Sequence, residues 1–258
     1  MNRFTLLIVL CFLFTAFSLQ QTNAQEATPP ENFVVFEEFV SPYDLPAYTK
    51  AQEKVIDLWN EYDVEVPVYA YRNDDNAFYW VVPVENFAGM DNLYTTMMGV
   101  WKKMKEEGNF DADKEFRDLS TGRQTMIHWS KELSYHPSGE FGQSKEKPFV
   151  EWTFCYLRAG HEKEAAEAVK KYKTFYDGID ENYEWDVYSV TIGHDTPCWI
   201  LMVRAENELA LRNLEDDLFK KYSEDFQKMW QDFSQHVRKF ENKKGWFLPK
   251  WSSKWEME

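Results

Sequence analysis

The sequence predicts an α+β fold in which one strand-helix-strand-strand-helix-strand unit is used twice. Three observations predict it. The same order of elements runs along both halves of the chain. The stretch "VENFAGMDNL" at 84 to 93 returns as "AENELALRNL" at 205 to 214. The apolar helix faces also superpose: Tyr48, Val55, Trp59 and Tyr62 fall, 117 residues on, at Ala165, Tyr172, Tyr176 and Ile179. With an offset of 121, Met90, Leu93, Met97 and Trp101 fall at Leu211, Leu214, Leu218 and Tyr222, so each set maps apolar onto apolar.

The chain opens with Arg3, an apolar run from Phe4 to Phe17, and a polar segment ending in Thr22-Asn23-Ala24. This is the pattern of a secretory signal peptide over residues 1 to 24, and the run is too short to span a bilayer. The protein is therefore expected to be exported, to the periplasm or the extracellular medium, with no membrane insertion after cleavage. Residues 25 to 32 read as a disordered leader carrying a Pro pair.

In the first unit (33 to 135), "FVVFEEFV" is dense in β-branched and aromatic residues and reads as a strand closed by Ser41-Pro42. Leu45, Tyr48, Gln52, Val55, Trp59 and Tyr62 follow at helical steps. "VEVPVYAYR" and "NAFYWVVPV" are strands around a polar turn. Asn86 then stands where a helix cap belongs. A short helical pattern with Phe116 and Leu119 leads to the strand "RQTMIHWS". Residues 136 to 148 are rich in Gly, Ser, Lys and Pro and read as a linker. The second unit (149 to 258) repeats the order with "FVEWTFCYL", the helix face from Ala165 to Ile179, "EWDVYSVTI" and "CWILMVRA". A long helix through "DFQKMWQDFSQHVRKF" and a last strand at "GWFLPKW" close it.

Charge excludes some functions. Asp and Glu number 44 against 29 Lys and Arg, a net charge of −15, which disfavours nucleic acid and anionic membrane surfaces as partners. The chain has no Gly-rich phosphate loop, nucleophile elbow or zinc-type cysteine cluster.

A βαββαβ unit is the ferredoxin-like arrangement, with helices on one face of an antiparallel sheet. With its tandem repeat and the strand ending "HWSKELSYHP", the sequence resembles the dimeric α/β-barrel superfamily, in particular the antibiotic-biosynthesis-monooxygenase and NIPSNAP-like families. The resemblance covers residues 33 to 251. It implies two ferredoxin-like units packed sheet to sheet as an intramolecular α/β barrel, hence a monomer with a pseudo-dimeric barrel. Families of this fold include cofactor-free monooxygenases, isomerase-like enzymes, haem-binding enzymes and members without known activity, and fold does not choose among them.

On that fold, Glu37 and Glu151 interrupt the strand face assigned to the barrel interior, and Val34, Phe36, Val150, Trp152 and Phe154 are expected on the helix side. Carboxylates in an apolar cavity suit general acid or base work or ligand contact; local hydrogen bonding is the structural alternative. Tyr69 and Tyr188, on the two second strands, are expected to correspond and to line a pocket, or simply to pack. Cys155 and Cys198 fall on neighbouring strands, so a disulfide is expected, two buried thiols being the alternative. Of the five histidines only His128 and His236 are placed to reach a cavity; His128 is a candidate base. No metal site and no cofactor, haem included, is expected. The leading function is binding of a small apolar or aromatic molecule inside the barrel. A cofactor-free monooxygenase- or isomerase-like enzyme and a solidly packed structural module are the alternatives.

Overall fold

The structure is a computed structural model that describes residues 30–137, 143–179, 181 and 183–254. The expected signal peptide (residues 1 to 24), most of the expected leader and the middle of the expected linker lie outside the described residues.

Eight strands form one closed antiparallel barrel in the order β1-β3-β2-β8-β5-β7-β6-β4. The strands are β1 (Asn32–Val40), β2 (Tyr69–Asn73), β3 (Ala77–Val84), β4 (Ser120–Trp129), β5 (Phe149–Leu157), β6 (Trp185–Ile192), β7 (Cys198–Ala205) and β8 (Val237–Phe247). Read as two halves, the order is β4-β1-β3-β2 and β8-β5-β7-β6, the same ferredoxin-like sheet twice. The units therefore join edge to edge, through β2 with β8 and β4 with β6, so that neither sheet keeps an open edge. The helices α1 (Leu45–Glu61), α2 (Gly89–Glu106), α3 (Ala112–Glu115), α4 (Glu162–Asp177) and α5 (Glu208–Ser234) connect the strands.

Each seam between the units carries a glycine for a steric reason. A Cβ on Gly245 would stand 2.3 Å from the Arg72 carbonyl oxygen across the β2–β8 seam. One on Gly193, whose φ is +107°, would stand 2.5 Å from the Gln124 carbonyl oxygen across the β4–β6 seam.

Local sequence explains the helices. Pro46 occupies the first turn of α1, where its missing N–H costs no hydrogen bond, and Tyr48, Ala51, Val55 and Leu58 are buried at helical spacing. The repeated "EN" motif caps the helix in the second half, where Asn207 Oδ1 accepts from Ala210 N at 2.9 Å; in the first half Asn86 Oδ1 accepts from Ala88 N at 2.8 Å and closes the turn that precedes α2. The last helix is shorter than its periodicity suggested. α5 loses helical backbone at Tyr222 and stops at Ser234, and the segment from Val237, expected in that helix, is strand β8 paired with β5 and β2.

The barrel interior is one cluster of large side chains, among them Phe33, Val35, Tyr71, Tyr79, Trp129, Phe154, Tyr156 and Tyr188. Outside the wall, α1 to α3 cover the first sheet and α4 and α5 the second.

On β5 the two faces are reversed from the sequence expectation. Val150, Trp152, Phe154 and Tyr156 face the interior, while Phe149, Cys155 and Leu157 pack toward the second unit's helices. The pairing register gives the reason: Glu37 sits opposite Tyr79 and Phe154 opposite Ile200, so the equivalent of Glu37 is Phe154, and Glu151 is the equivalent of Val34.

The expected disulfide is absent. Cys198 pairs with Tyr156 and points into the barrel, whereas Cys155 pairs with Trp199 and points to the helices. Being one position apart on adjacent strands, the thiols lie on opposite faces of the sheet, and both are free and buried. Burial pushes both up to about 12.

Candidate functional site

The two ends of the barrel interior hold separate charged clusters. At one end Glu37, 3 % exposed, accepts from Arg123 through Nε (3.1 Å) and Nη2 (2.6 Å) and from Thr125 Oγ1 (2.8 Å). His194 Nε2 stands 3.4 Å from the same carboxylate, and its ring packs on Phe154 at 5.1 Å. Burial opposes the charge on Glu37, but the bonds from His194, Arg123 and Thr125 outweigh it and hold the carboxyl down at about 2. Such a group is a fixed anion at neutral pH and a poor proton acceptor. Beside it lies a cavity of about 70 Å³ lined by residues including Tyr71, Tyr79, Trp152, Tyr188 and Met202. That volume holds a few water molecules and no aromatic ring.

At the other end Asp186, with no exposed surface, accepts from Trp129 Nε1 at 2.8 Å, lies 2.8 Å from His136 Nε2 and is ion-paired with Arg204. Arg204 also reaches Gln143, whose amide oxygen lies 3.3 Å from the Tyr71 hydroxyl. Burial works against the ionised Asp186, and the Arg204 charge and the His136 bond reverse the balance, to about 2.

The remaining expected site residues scatter. Glu151 leaves the barrel and is ion-paired with Arg212 of α5. His128 lies on the outer face of β4, with Nδ1 3.0 Å from Asn32 Oδ1, and not in the interior. His236 follows α5 and meets His161. Tyr69 and Tyr188 both face the interior, but they are not equivalent: Tyr188 pairs with Ile200 as Tyr71 pairs with Tyr79, so Tyr71 is its counterpart and Asp186 is that of Tyr69. Burial raises the phenol of Tyr188 well above its ordinary value.

The large cavities lie outside the barrel wall, between sheet and helices. The cleft of the second unit, about 560 Å³, is walled by Tyr172, Tyr176, Tyr183, Phe226, Trp230 and Phe240. The cleft of the first unit, about 370 Å³, is walled by Trp59, Trp80, Trp101, Trp251, Phe36 and Phe116; two carboxylates line it, Glu38 and the exposed Asp113. Successive strand residues face opposite ways, so Glu37 enters the barrel and its neighbour Glu38 enters this cleft. Glu38 Oε2 accepts from Trp80 Nε1 (2.7 Å), Gln52 Nε2 (3.3 Å) and the Tyr48 hydroxyl. Its Oε1 has no hydrogen-bond partner among the described residues. Burial, with the Glu38 charge beside it, raises the Tyr48 phenol far above its ordinary value, so Tyr48 remains a donor. The end of the chain completes this wall: Val68 and Ser253 exchange backbone hydrogen bonds, and Trp251 stacks on Trp80 at 5.9 Å.

Glu38, His194 and the Asp186–Arg204 pair were missed in the sequence. A usable signal existed for two of them: Asp186 and Arg204 are single charges inside apolar strand sequence, where a charge is buried only with a partner. Neither cleft is lined by a histidine, and the histidine beside the barrel cavity adjoins a space too small for a porphyrin. The residues thus do not fit haem. Among the described residues no three His, Cys, Asp or Glu side chains are grouped to hold a metal ion. None of the helices is long and apolar enough to cross a membrane, again among the described residues.

No family model matches the chain, and no curated protein matches it either. Solved structures do. An anthrone oxidase-like protein superposes with a TM-score of 0.58 at 10% identity, over 84% of this chain and 92% of that one. A candidate monooxygenase from Lactobacillus acidophilus gives 0.52 at 12% identity over 85% and 94%. A chlorite dismutase variant from Candidatus Nitrospira defluvii gives 0.51 at 14% over 86% and 93%. With the closed eight-strand barrel, these likenesses define the fold as the dimeric α/β barrel. In this chain both ferredoxin-like halves of that barrel are carried by one polypeptide.

Proposed function

We propose that the protein binds a small, largely aromatic molecule bearing a hydrogen-bond donor, a hydroxyl or protonated amine, in the cleft of the first unit. The observation that carries this reading is Glu38. One of its oxygens is fixed by three donors and the other has no hydrogen-bond partner among the described residues, at the wall of a cavity with four tryptophans. A volume of about 370 Å³, mostly apolar with the Glu38 carboxylate held in place, suits a ligand of one or two rings. The aromatic ligand is thus moved from the barrel interior to the space between barrel and helices, because Tyr71, Tyr79, Trp152 and Tyr188 fill the interior. The test is tryptophan fluorescence titration with phenols and aromatic amines. Saturable quenching weakened about tenfold or more by Glu38→Gln supports the reading, as expected for loss of a charge-assisted bond worth about 1.5–3 kcal/mol. Equal titration of both proteins rejects it.

A catalytic use of the same cleft is the second reading, favoured by the likeness to proteins described as a candidate monooxygenase and anthrone oxidase-like. Glu38, rather than Glu37, Glu151 or His128, is then the available base. Oxygen uptake with hydroxyaromatic substrates, lost in Glu38→Gln, would support it; absence of uptake with ligands that bind would leave binding alone. We also propose that the chain is exported with cleavage after Ala24 and acts as a monomer. Amino-terminal sequencing of protein recovered from an exporting host and light scattering test these two points.

A further inference from the structure

His161 and His236 are 75 residues apart in sequence, yet their imidazoles face each other, with Nδ1 to Nδ1 at 3.0 Å and ring centroids at 5.3 Å. The backbone sets this meeting up independently of the rings. Arg158 N donates to His236 O at 2.8 Å, His161 N donates to Arg158 O at 3.0 Å, and Gly160, at φ +81°, turns the chain into α4. His236 N is itself held by Phe233 O at 3.0 Å at the end of α5. Both residues are half-buried, so neither is sealed from solvent.

We propose that His161 and His236 form a binding site for one Cu(II) ion, with water or an exogenous ligand in the remaining positions. Two imidazole nitrogens bound at about 2.0 Å with a right angle between them stand about 2.8 Å apart, and in a tetrahedral site about 3.3 Å. The observed separation lies between the two, within reach of one shared ion, and copper heads the affinity order of divalent first-row metals for nitrogen ligands. Binding needs the N–H between the rings to be replaced. A neutral imidazole with its proton on Nε2 presents a Nδ1 lone pair, so a tautomer change in the donor ring and rotation of both rings aim the two lone pairs at one point. The other three histidines offer no such pair: His128 is engaged with Asn32, His136 with Asp186, and His194 is buried beside Glu37.

The test is calorimetric titration of the untagged protein with CuCl2, with electron paramagnetic resonance on the product. The expected result is one ion per chain with splitting from two equatorial nitrogens. His161→Ala and His236→Ala should each weaken binding about tenfold or more, and His128→Ala should leave it unchanged; circular dichroism confirms that each variant is folded. Absence of saturable binding, or binding retained in the His161→Ala/His236→Ala double variant, overturns the proposal and leaves the pair a simple N–H···N bond.

Discussion

Replacing Asp186 by Asn tests how the barrel tolerates a buried ionic cluster. Asp186 is fully buried, and its carboxylate serves Arg204, Trp129 and His136 together. Asn keeps the size and one acceptor but leaves the Arg204 guanidinium, whose side chain is 11 % exposed, without its counter-ion. Removing one partner of a buried pair costs about 3–5 kcal/mol. Protonation gives an independent measure. A carboxyl at about 2 in the folded chain against an ordinary 3.8 corresponds to about 2 kcal/mol of stabilisation. Because the folded value is the lower one, this contribution is present above about pH 4 and is lost as pH falls toward 2. Asp186→Asn should therefore lose about 3 kcal/mol in urea denaturation at pH 7, or about 6–12 °C in Tm for a protein of this size. The difference from wild type should shrink as the pH is lowered from 4 to 2. A loss below about 1 kcal/mol at pH 7, or a difference independent of pH, would refute this reasoning.

Further outcomes follow from other contacts. Glu37 is also held at about 2 against an ordinary 4.5, so its contribution is present above that value and fades below it; Glu37→Gln should flatten acid unfolding between pH 4.5 and 2, measured by circular dichroism. Gly245→Ala pushes a methyl group into the Arg72 backbone and should cost about 1–3 kcal/mol, whereas Gly99→Ala on α2, where nothing lies within 4 Å, should stabilise slightly; paired denaturation curves decide. Both thiols should resist iodoacetamide in the folded protein and both should react once unfolded without reductant, as mass spectrometry would show; a pair that reacts only after reduction would mean a disulfide.

The duplicated architecture was legible because amphipathic helices repeat strictly: the faces through Tyr48 and Ala165, and through Leu93 and Leu214, kept their spacing and their partners. Strand faces were harder to read. β5 is covered by barrel contents on one side and helices on the other, so Phe149 and Val150 are both fully buried and the period-two signal vanishes. The 117-residue offset between the halves carried the correct parity, since it takes Glu37 to Phe154 and not to Glu151. His194 could not be read from its surroundings: its side chain enters the barrel only because the β6–β7 turn lies against the β4 seam, a tertiary consequence of closure. Glu38 was hidden for the opposite reason. Its neighbour Glu37 occupies the face assigned to the interior, and the value of Glu38 depends on Tyr48, Gln52 and Trp80 arriving from a helix and another strand.

The most direct test of the central claim is a crystallographic screen with small phenols and aromatic amines. The account predicts density in the cleft between Trp59, Trp101 and Trp251, with the donor group of the bound molecule against Glu38. Molecules bound only elsewhere, or a cleft closed by Trp101 and Phe116 in every crystal, would contradict it.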